Sequence, residues 1–501
     1  MPELPERAWR ISAAAILAAA AFLRLYDLGL KPLHHDEGVN GLFLVHLVRD
    51  GVYRYDPANY HGPTLYYFAR LTAWLNGLLT NGDGLSDAAI RVVPALFGIA
   101  TVALVLCLRG QIGKRGALVA AALIAVSPGA VFYSRYFIHE TLFVFFGLAL
   151  AVCCWRAVAE ARPAYLLPAA LAAALLFATK ETALVAVVAL ALAAAVQHAF
   201  VRYRKLAPNG PPPLATLWER LGGWPRGATQ AALAALLFAA VFVLFYSSFF
   251  TNFPKGVNDA LESFKIWTRT GVTQAFYPMY AYLTWSARQE WPLLLVSAFG
   301  IAVAVWGSPS GFGPLAGIWG CGLFVAYTLI PYKTPWLVLN FTIPLAIAGG
   351  YGEACEWEHA RGTALHVLRG AGVALLAVLL YQTVSLNFVR YDDQSQPYVY
   401  LHTTRAIGDL VREIDAAAAR SGEGEKAALT IAAPEYWPLP WYLRDYRSAG
   451  YWGRIVDTQA PAVVGSLAQE EELELRLGAA YRLVGSYNLR PGVTLVLFVK
   501  R

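Results

Sequence analysis

What this chain lacks most is charge. Only 15% of its 501 residues are Asp, Glu, Lys or Arg, against about 25% in a water-soluble domain. That deficit excludes a globule wetted on every side. Cysteine is scarce as well: Cys107, Cys153, Cys154 and Cys321 fall in apolar runs, and Cys355 lies just after one. None has metal-ligand spacing, which excludes a disulfide framework and a cysteine-based zinc site. No segment repeats at a fixed period, as transporters built from duplicated halves often do. The net charge is +7, yet the basic residues form no concentrated patch, so nucleic acid is excluded as a partner.

What is present is hydrophobicity. Apolar residues make up 57% of the chain, gathered in runs of roughly 17 to 24 residues, enough to cross the hydrocarbon of a bilayer. Spans are predicted near 9–27, 87–108, 116–133, 138–158, 163–179, 181–200, 228–250, 291–307, 312–330, 335–352 and 364–387. The total is about eleven helices, with Lys180-Glu181 splitting 163–200 into a hairpin. The first run follows Arg7 and Arg10 and is followed at once by further spans, so it reads as an uncleaved span rather than a signal peptide. Basic residues such as Arg109, Lys114, Arg115, Arg202 and Arg204 are denser in alternate loops. This bias puts the N-terminus in the cytoplasm and the C-terminus outside a cytoplasmic (inner) membrane. Asn209 to Pro213, in a cytoplasmic loop, reads as a stiff spacer.

From residue 389 the composition turns globular. Leu410 to Ala419 has a helical pattern, Ala428 to Ala432 is a short apolar run, and Trp437 to Tyr446 is an aromatic-rich helix candidate. Pro461 to Gly465 and Val493 to Val499 read as strands. The predicted fold is an α-helical polytopic membrane region over 1–388, with a large first outer loop at 28–87, and a small extracytoplasmic α/β domain over 389–501.

The first loop is too long to be a mere connection. It opens with His34-His35-Asp36-Glu37-Gly38, continues as an amphipathic helix through Val39, Leu42, Phe43 and His46, and reaches His61-Gly62-Pro63-Thr64. A second amphipathic stretch, Leu65 to Leu79, is expected to lie in the headgroup layer. Carboxylates beside a bilayer are costly unless solvated, paired or bound to a metal. In the predicted topology the other unusual polar residues share their side: Arg135, His139 and Glu140 in one turn, Lys180 and Glu181 in the next, and Lys333 within Pro331-Tyr332-Lys333-Thr334-Pro335-Trp336. Each has a bland alternative. Arg135 and His139 would share a helix face and snorkel to headgroups, Lys180-Glu181 would be a polar hairpin tip, Lys333 a topological anchor, and His61 part of a turn. Together they define a candidate pocket. The acids and histidines also offer ligands for a divalent metal, with Asp36, Glu37, Glu140 and His139 the candidates, although their spacing specifies no geometry.

One span, a long outer loop opening on an acidic pair, many further spans and an outer C-terminal domain resemble the GT-C glycosyltransferases, which include protein O-mannosyltransferases, aminoarabinose transferases and oligosaccharyltransferases. His35-Asp36-Glu37 resembles their first-loop acidic motif, and Ser134 to Glu140 their second. The segments HHDEGVNG, HGPTLYYF, SRYFIHETLF, ATKETA and PYKTPWL are similar to a prokaryotic subgroup described as flippase-activity-associated proteins. The resemblance implies an enzyme that moves a sugar from a polyprenyl-(pyro)phosphate donor to a lipid, glycan or protein acceptor of the cell envelope at the outer leaflet, among membrane lipids. It implies Asp36 as general base or metal ligand, with Glu37 and Glu140 positioning the acceptor or holding a metal. Arg135, Lys180 and Lys333 would neutralise the leaving phosphate, and His35, His61, His139 and Glu181 would contact substrate. With one base and no evident covalent nucleophile, inversion is the expected stereochemistry. The rival readings are a lipid-linked sugar flippase or transporter and its non-catalytic accessory protein.

Overall fold

The computed structural model describes residues 4–57, 61–204, 218–273, 277–307, 309–359 and 362–501; the Asn209 to Pro213 spacer lies outside them. The helices through the first half are α1 (Glu6–Leu25), α2 (His35–Arg49), α3 (Thr64–Thr80), α4 (Asp87–Leu106), α5 (Arg109–Ala125), α6 (Pro128–Ser134), α7 (Glu140–Val158), α8 (Leu166–Phe177) and α9 (Ala183–Tyr203). Beyond them come Gly223–Tyr246, Lys255–Thr273, Ala281–Gln289, Trp291–Trp306, Phe312–Leu329, Leu339–His359 and Gly362–Val384. Among the described residues seven helices are long and apolar enough to cross a membrane, or up to nine if each sharply bent pair is one span. The chain is a multi-pass membrane protein.

That total falls short of the eleven predicted, for identifiable reasons. The span predicted at 163–179 is α8, only 12 residues long after a single 3-10 turn. Leu339–His359 has the length but carries Glu353, Glu356 and Glu358 in its second half. The predicted 116–133 is broken, with α5 and α6 meeting at 59°. Pro128 lacks an N–H and disfavours helical geometry at Ser127. Ser127 therefore leaves the helix and caps α6, its hydroxyl accepting the Ala130 N–H. The carbonyls of Ile124 and Ala125, orphaned by the break, accept both terminal nitrogens of buried Arg24, each at 3.0 Å. A second break, at 106° between Ala281–Gln289 and Trp291–Trp306, leaves Glu290 at the bend. Its carboxylate accepts from the Gly129 N–H and the Ser127 hydroxyl, which links the two breaks.

The first loop folds as expected into two helices. In α3, Leu71, Trp74, Leu78 and Leu79 are exposed, an apolar face of the kind expected of a helix in the headgroup layer. Cys355, predicted to lie in a loop, is inside Leu339–His359, and all five cysteines are free.

The C-terminal sheet has five strands: β1 (Leu429–Ile431), β2 (Ala449–Tyr451), β3 (Ala462–Ser466), β4 (Tyr481–Arg490) and β5 (Val493–Lys500). Their order is β2-β1-β3-β5-β4. The first three run parallel, and β5 lies antiparallel to β3 and β4. The helix Ala406–Arg420 contributes Ile407, Leu410, Ile414 and Ala417 to the core on this sheet. The helix predicted at Trp437 to Tyr446 shrinks to Leu439–Tyr442, with Pro438 as its N-cap and Pro440 in its first turn. Strands β2 and β4 had no clear sequence signal; Gly485 sits where the β4 register shifts.

This segment is docked on the first loop. Gly38 of α2 leaves room for Pro438, because a Cβ there would lie 2.4 Å from the proline Cβ. Trp441 is fully buried and donates its indole N–H to Asp87 at 2.7 Å. The Leu33 N–H donates to the Tyr442 hydroxyl at 2.8 Å. These contacts fix the start of α2, where the candidate chemistry sits.

Candidate active site

A cavity of about 300 Å³ opens beside the first turn of α2. It is lined by His35, Asp36, Val39, Asn40, His61, Ile138, His139, Glu140, Lys180, Tyr332 and Trp336. Four segments far apart in sequence therefore meet here, as the sequence reading expected.

The start of α2 is set by a reciprocal cap. The His34 ring accepts the Asp36 N–H at 3.1 Å, and the Glu37 carboxylate accepts the His34 N–H at 2.9 Å. Successive helical side chains are about 100° apart, so Asp36 and Glu37 cannot serve the same space. Asp36 faces the cavity, and its carboxylate makes no hydrogen bond or ion pair with the described residues. Glu37 turns inward, fully buried, in a two-pronged pair with Arg91 of α4 at 2.7 Å on each oxygen. It also accepts the Phe137 N–H at 2.8 Å. Burial pushes the Glu37 pKa up, but Arg91 and two backbone donors outweigh it and hold the carboxyl below its ordinary value.

Glu37 is thus a tie between the loop, α4 and the approach to α7. Removing one member of a buried pair strands the other, at about 3–5 kcal/mol. Glu37→Ala is expected to lower thermal stability in detergent by that order, and Glu37→Gln by less; wild-type melting of Glu37→Ala would refute the tie. Because the folded pKa is depressed, the stabilisation is present above the ordinary value of 4.5 and is lost as pH falls through the lower folded value.

At the opposite wall Glu140, the first residue of α7, accepts Lys180 Nζ at 2.6 Å and the Asn340 amide. All three side chains are buried. His139, just before α7, donates Nε2–H to the Gly62 carbonyl at 2.9 Å. Burial, with His61 and Lys180 nearby, holds its pKa well below the usual histidine range. The backbone of Gly62 lies so close to the turn between α8 and α9 that a Cβ would come within 2.2 Å of the Ala178 carbonyl. The neighbouring His61 donates from Nδ1 to Glu181 at 2.7 Å, and Tyr55 donates to the other Glu181 oxygen at 2.9 Å. Glu181 therefore stands behind His61 rather than on the cavity wall. His35 stacks obliquely near Trp437 of the C-terminal segment, with ring centroids 6.1 Å apart. Burial lowers its pKa, with Asp36 opposing.

Two predicted phosphate ligands lie elsewhere. Arg135 is buried and donates to the carbonyls of Tyr26 at 2.6 Å and Asp27 at 2.8 Å, just past the end of α1. Lys333 donates to the carbonyls of Ile330 at 2.6 Å and Thr328 at 2.9 Å, at the end of Phe312–Leu329. The last carbonyls of a helix are unpaired and carry partial negative charge, so they draw cations. Lys333 is therefore an anchor, Arg135 a helix cap, and Lys180 alone of the three reaches the cavity. The proposed metal set does not assemble either. Glu37 is committed to Arg91, Glu140 to Lys180 and His139 to Gly62, and among the described residues no three metal-ligating side chains gather.

Sequence reasoning missed Asn340, Asn40, Tyr332 and Trp336. Tyr332 and Trp336 lie within the PYKTPWL segment, on either side of Lys333. Asn340 had a signal: an amide in the first turn of a helix whose first half is otherwise mostly apolar. A larger, mainly apolar cavity of about 420 Å³ lies at the other end of α7 and α9, against Trp155, Gln197 and Leu315. It gathers no acid–base pair.

A family profile described as dolichyl-phosphate-mannose-protein mannosyltransferase matches residues 61–209. The sequence matches none of the curated proteins with which it was compared. Among solved structures, ArnT from Cupriavidus metallidurans, crystallised with undecaprenyl phosphate, superposes with a TM-score of 0.65 at 16% identity, covering 98% of each chain. Its apo form gives 0.61 at 15% identity, again covering 98% of each. AglB, the archaeal oligosaccharyltransferase from Archaeoglobus fulgidus, in complex with an inhibitory peptide and a dolichol-phosphate, gives 0.56 at 13% identity, covering 92% of this chain and 70% of its own. The chain shares the overall fold of these membrane proteins.

Proposed function

We propose that this chain is an integral membrane glycosyltransferase of the cell envelope, which moves a sugar from a polyprenyl-phosphate-linked donor to a hydroxyl acceptor at the outer leaflet. In this reading the N-terminus is cytoplasmic, and the cavity and the sheet face outward. The observation that carries it is Asp36: a carboxylate without a partner among the described residues, in one cavity with the Lys180–Glu140 pair.

Transfer needs a base for the acceptor hydroxyl and positive charge for the departing phosphate. Asp36 takes the proton. Lys180, held by Glu140 and Asn340, meets the phosphate; charge fixed in advance in a poorly hydrated cleft needs little rearrangement during reaction. Tyr332 and Trp336 supply flat apolar faces suited to the C–H faces of a sugar ring. In this reading Asp36 acts as base on the acceptor rather than as a nucleophile on the sugar, and direct displacement inverts the anomeric carbon. The acceptor is a lipid, glycan or protein hydroxyl. The likeness to a protein crystallised with undecaprenyl phosphate, and the match to a mannosyltransferase profile, support the donor class.

The test separates transfer from transport. Purified protein in detergent, where no gradient exists, is expected to release polyprenyl phosphate from at least one member of a panel of undecaprenyl-phosphate sugars when envelope lipids and glycans are added. Movement of such donors across proteoliposomes, with no member ever consumed, would assign the chain to transport instead.

A further inference from the structure

We propose that the C-terminal segment supplies the acceptor subsite, with Tyr400 and Trp437 as specificity-determining residues, and that the acceptor hydroxyl belongs to a carbohydrate. This rests on the transferase reading above and narrows its acceptor from three classes to one.

The two rings continue the cavity outward. His35 lines it, and its ring meets that of Trp437 with centroids 6.1 Å apart. Trp336 lines it too, and its ring stands nearly edge-on to Tyr400 at 5.9 Å. Each of these two residues of the C-terminal segment is thus one ring beyond the wall. Both are held in place by their backbones. The Trp437 carbonyl accepts Arg490 Nη1 at 2.9 Å, and the next residue, Pro438, is seated on Gly38. The Tyr400 carbonyl accepts His34 Nε2 at 3.0 Å.

Neither ring is consumed in a hydrophobic core. The sheet core takes in Tyr436 and Tyr451 on its flank but not Trp437, and the core of the membrane region takes in Trp336 but not Tyr400. Both rings are half-buried.

Their position relative to Asp36 puts them on the acceptor side. Lys180 and Glu140 stand at the opposite wall, where the phosphate departs. Displacement with inversion brings the attacking oxygen to the face of the anomeric carbon away from that phosphate, so the acceptor enters past Asp36. Burial raises the pKa of the Tyr332 and Tyr400 hydroxyls, and the nearby Asp36 charge adds to it. Both hydroxyls therefore stay protonated beside the base and can donate.

The chemistry of this face selects the class of acceptor. The Tyr332 and Tyr400 hydroxyls and the Trp437 indole N–H make no hydrogen bond with the described residues. Tyrosine and tryptophan present flat, rigid apolar area with a polar edge. A sugar ring matches that pattern, with a C–H face to lie on the rings and a rim of hydroxyls for their donors. A hydrocarbon would leave those donors unpaired, at about 1–3 kcal/mol for each one removed from water. A serine or threonine side chain brings a single hydroxyl and no such face. Charge agrees. Glu435 and Arg490, the charged groups of this segment that act on His35, are paired with each other, which suits an uncharged acceptor.

In the step, the sugar hydroxyl oxygen bonds to the anomeric carbon and its proton goes to Asp36. The old anomeric C–O bond breaks with its electron pair to the phosphate, and the product carries one new glycosidic bond.

The experiment uses the full chain in detergent with the undecaprenyl-phosphate sugar that it consumes from the panel above, radiolabelled in the sugar. Three envelope fractions are offered separately: oligosaccharides, sugar-free lipids and deglycosylated peptides. Label is expected in the oligosaccharides. For that fraction Trp437→Ala and Tyr400→Ala should each raise KM roughly tenfold, the scale of one lost aromatic platform, with kcat changed far less. A merely structural role would not split the two constants. Trp437→Phe, which keeps a ring, should recover most of the loss, so a misfolded alanine variant does not decide the outcome. Label carried only by lipid or peptide, or released as free sugar, overturns the inference and leaves the transferase reading standing. So does an unchanged KM in both alanine variants. A wild type that consumes no donor overturns both.

Discussion

Asp36→Asn is expected to reduce sugar transfer by about 10²–10⁴-fold, the usual worth of a positioned general base. The substitution keeps size and helix-forming geometry. The Asp36 carboxylate holds no partner among the described residues, so no tie between them is cut. Expression, detergent extraction and melting should therefore match the wild type, in contrast to Glu37→Ala. Affinity for undecaprenyl phosphate should be unchanged too, since the base serves the acceptor. Measured rates within twofold of wild type would remove Asp36 from the chemistry.

Lys180→Met should cost about 10²–10³-fold in rate, the scale for losing one preorganised charge at a developing anion. Unlike Asp36→Asn it also strands a buried group, since among the described residues Glu140 then keeps only the Asn340 amide. Stability should fall by about 3–5 kcal/mol. The double variant Lys180→Met/Glu140→Gln separates the two effects. It removes both charges, so most of the lost stability should return, while the rate stays low. Recovery of rate along with stability would show that Lys180 holds the fold and takes no part in the reaction. Direct coupling between the two sites makes non-additivity the expected result.

The comparison of these variants reflects how the acidic pair divides. In the sequence Asp36 and Glu37 are equivalent: adjacent, both acidic, both beside a membrane span. The first turn of α2 separates them, because neighbouring helical residues point about 100° apart. One then meets Arg91, 54 residues away, and the other meets the cavity. The cations divide in the same manner. Arg135, Lys180 and Lys333 all sit in short polar connections, but Lys333 is satisfied by carbonyls of the helix just before it and Arg135 by carbonyls at the end of α1, 109 residues away at Tyr26. Lys180 emerges from a turn whose carbonyls are already used by the Gly62 and Thr64 N–H groups, and its ammonium goes to Glu140.

By itself the sequence determined the class of molecule, most of its spans, the two helices of the first loop, and which segments carry the polar residues of the site. Those features follow from local quantities, run length, periodicity and proline position, which act within a few turns of chain. Only the tertiary structure decided which polar side chains face one another. That choice depends on the side-chain directions of helices tens to hundreds of residues apart, and on competition from backbone carbonyls that no linear pattern displays. The sequence marked the residues that had to be charged; packing decided which of those charges were consumed in holding the fold and which were left facing the cavity.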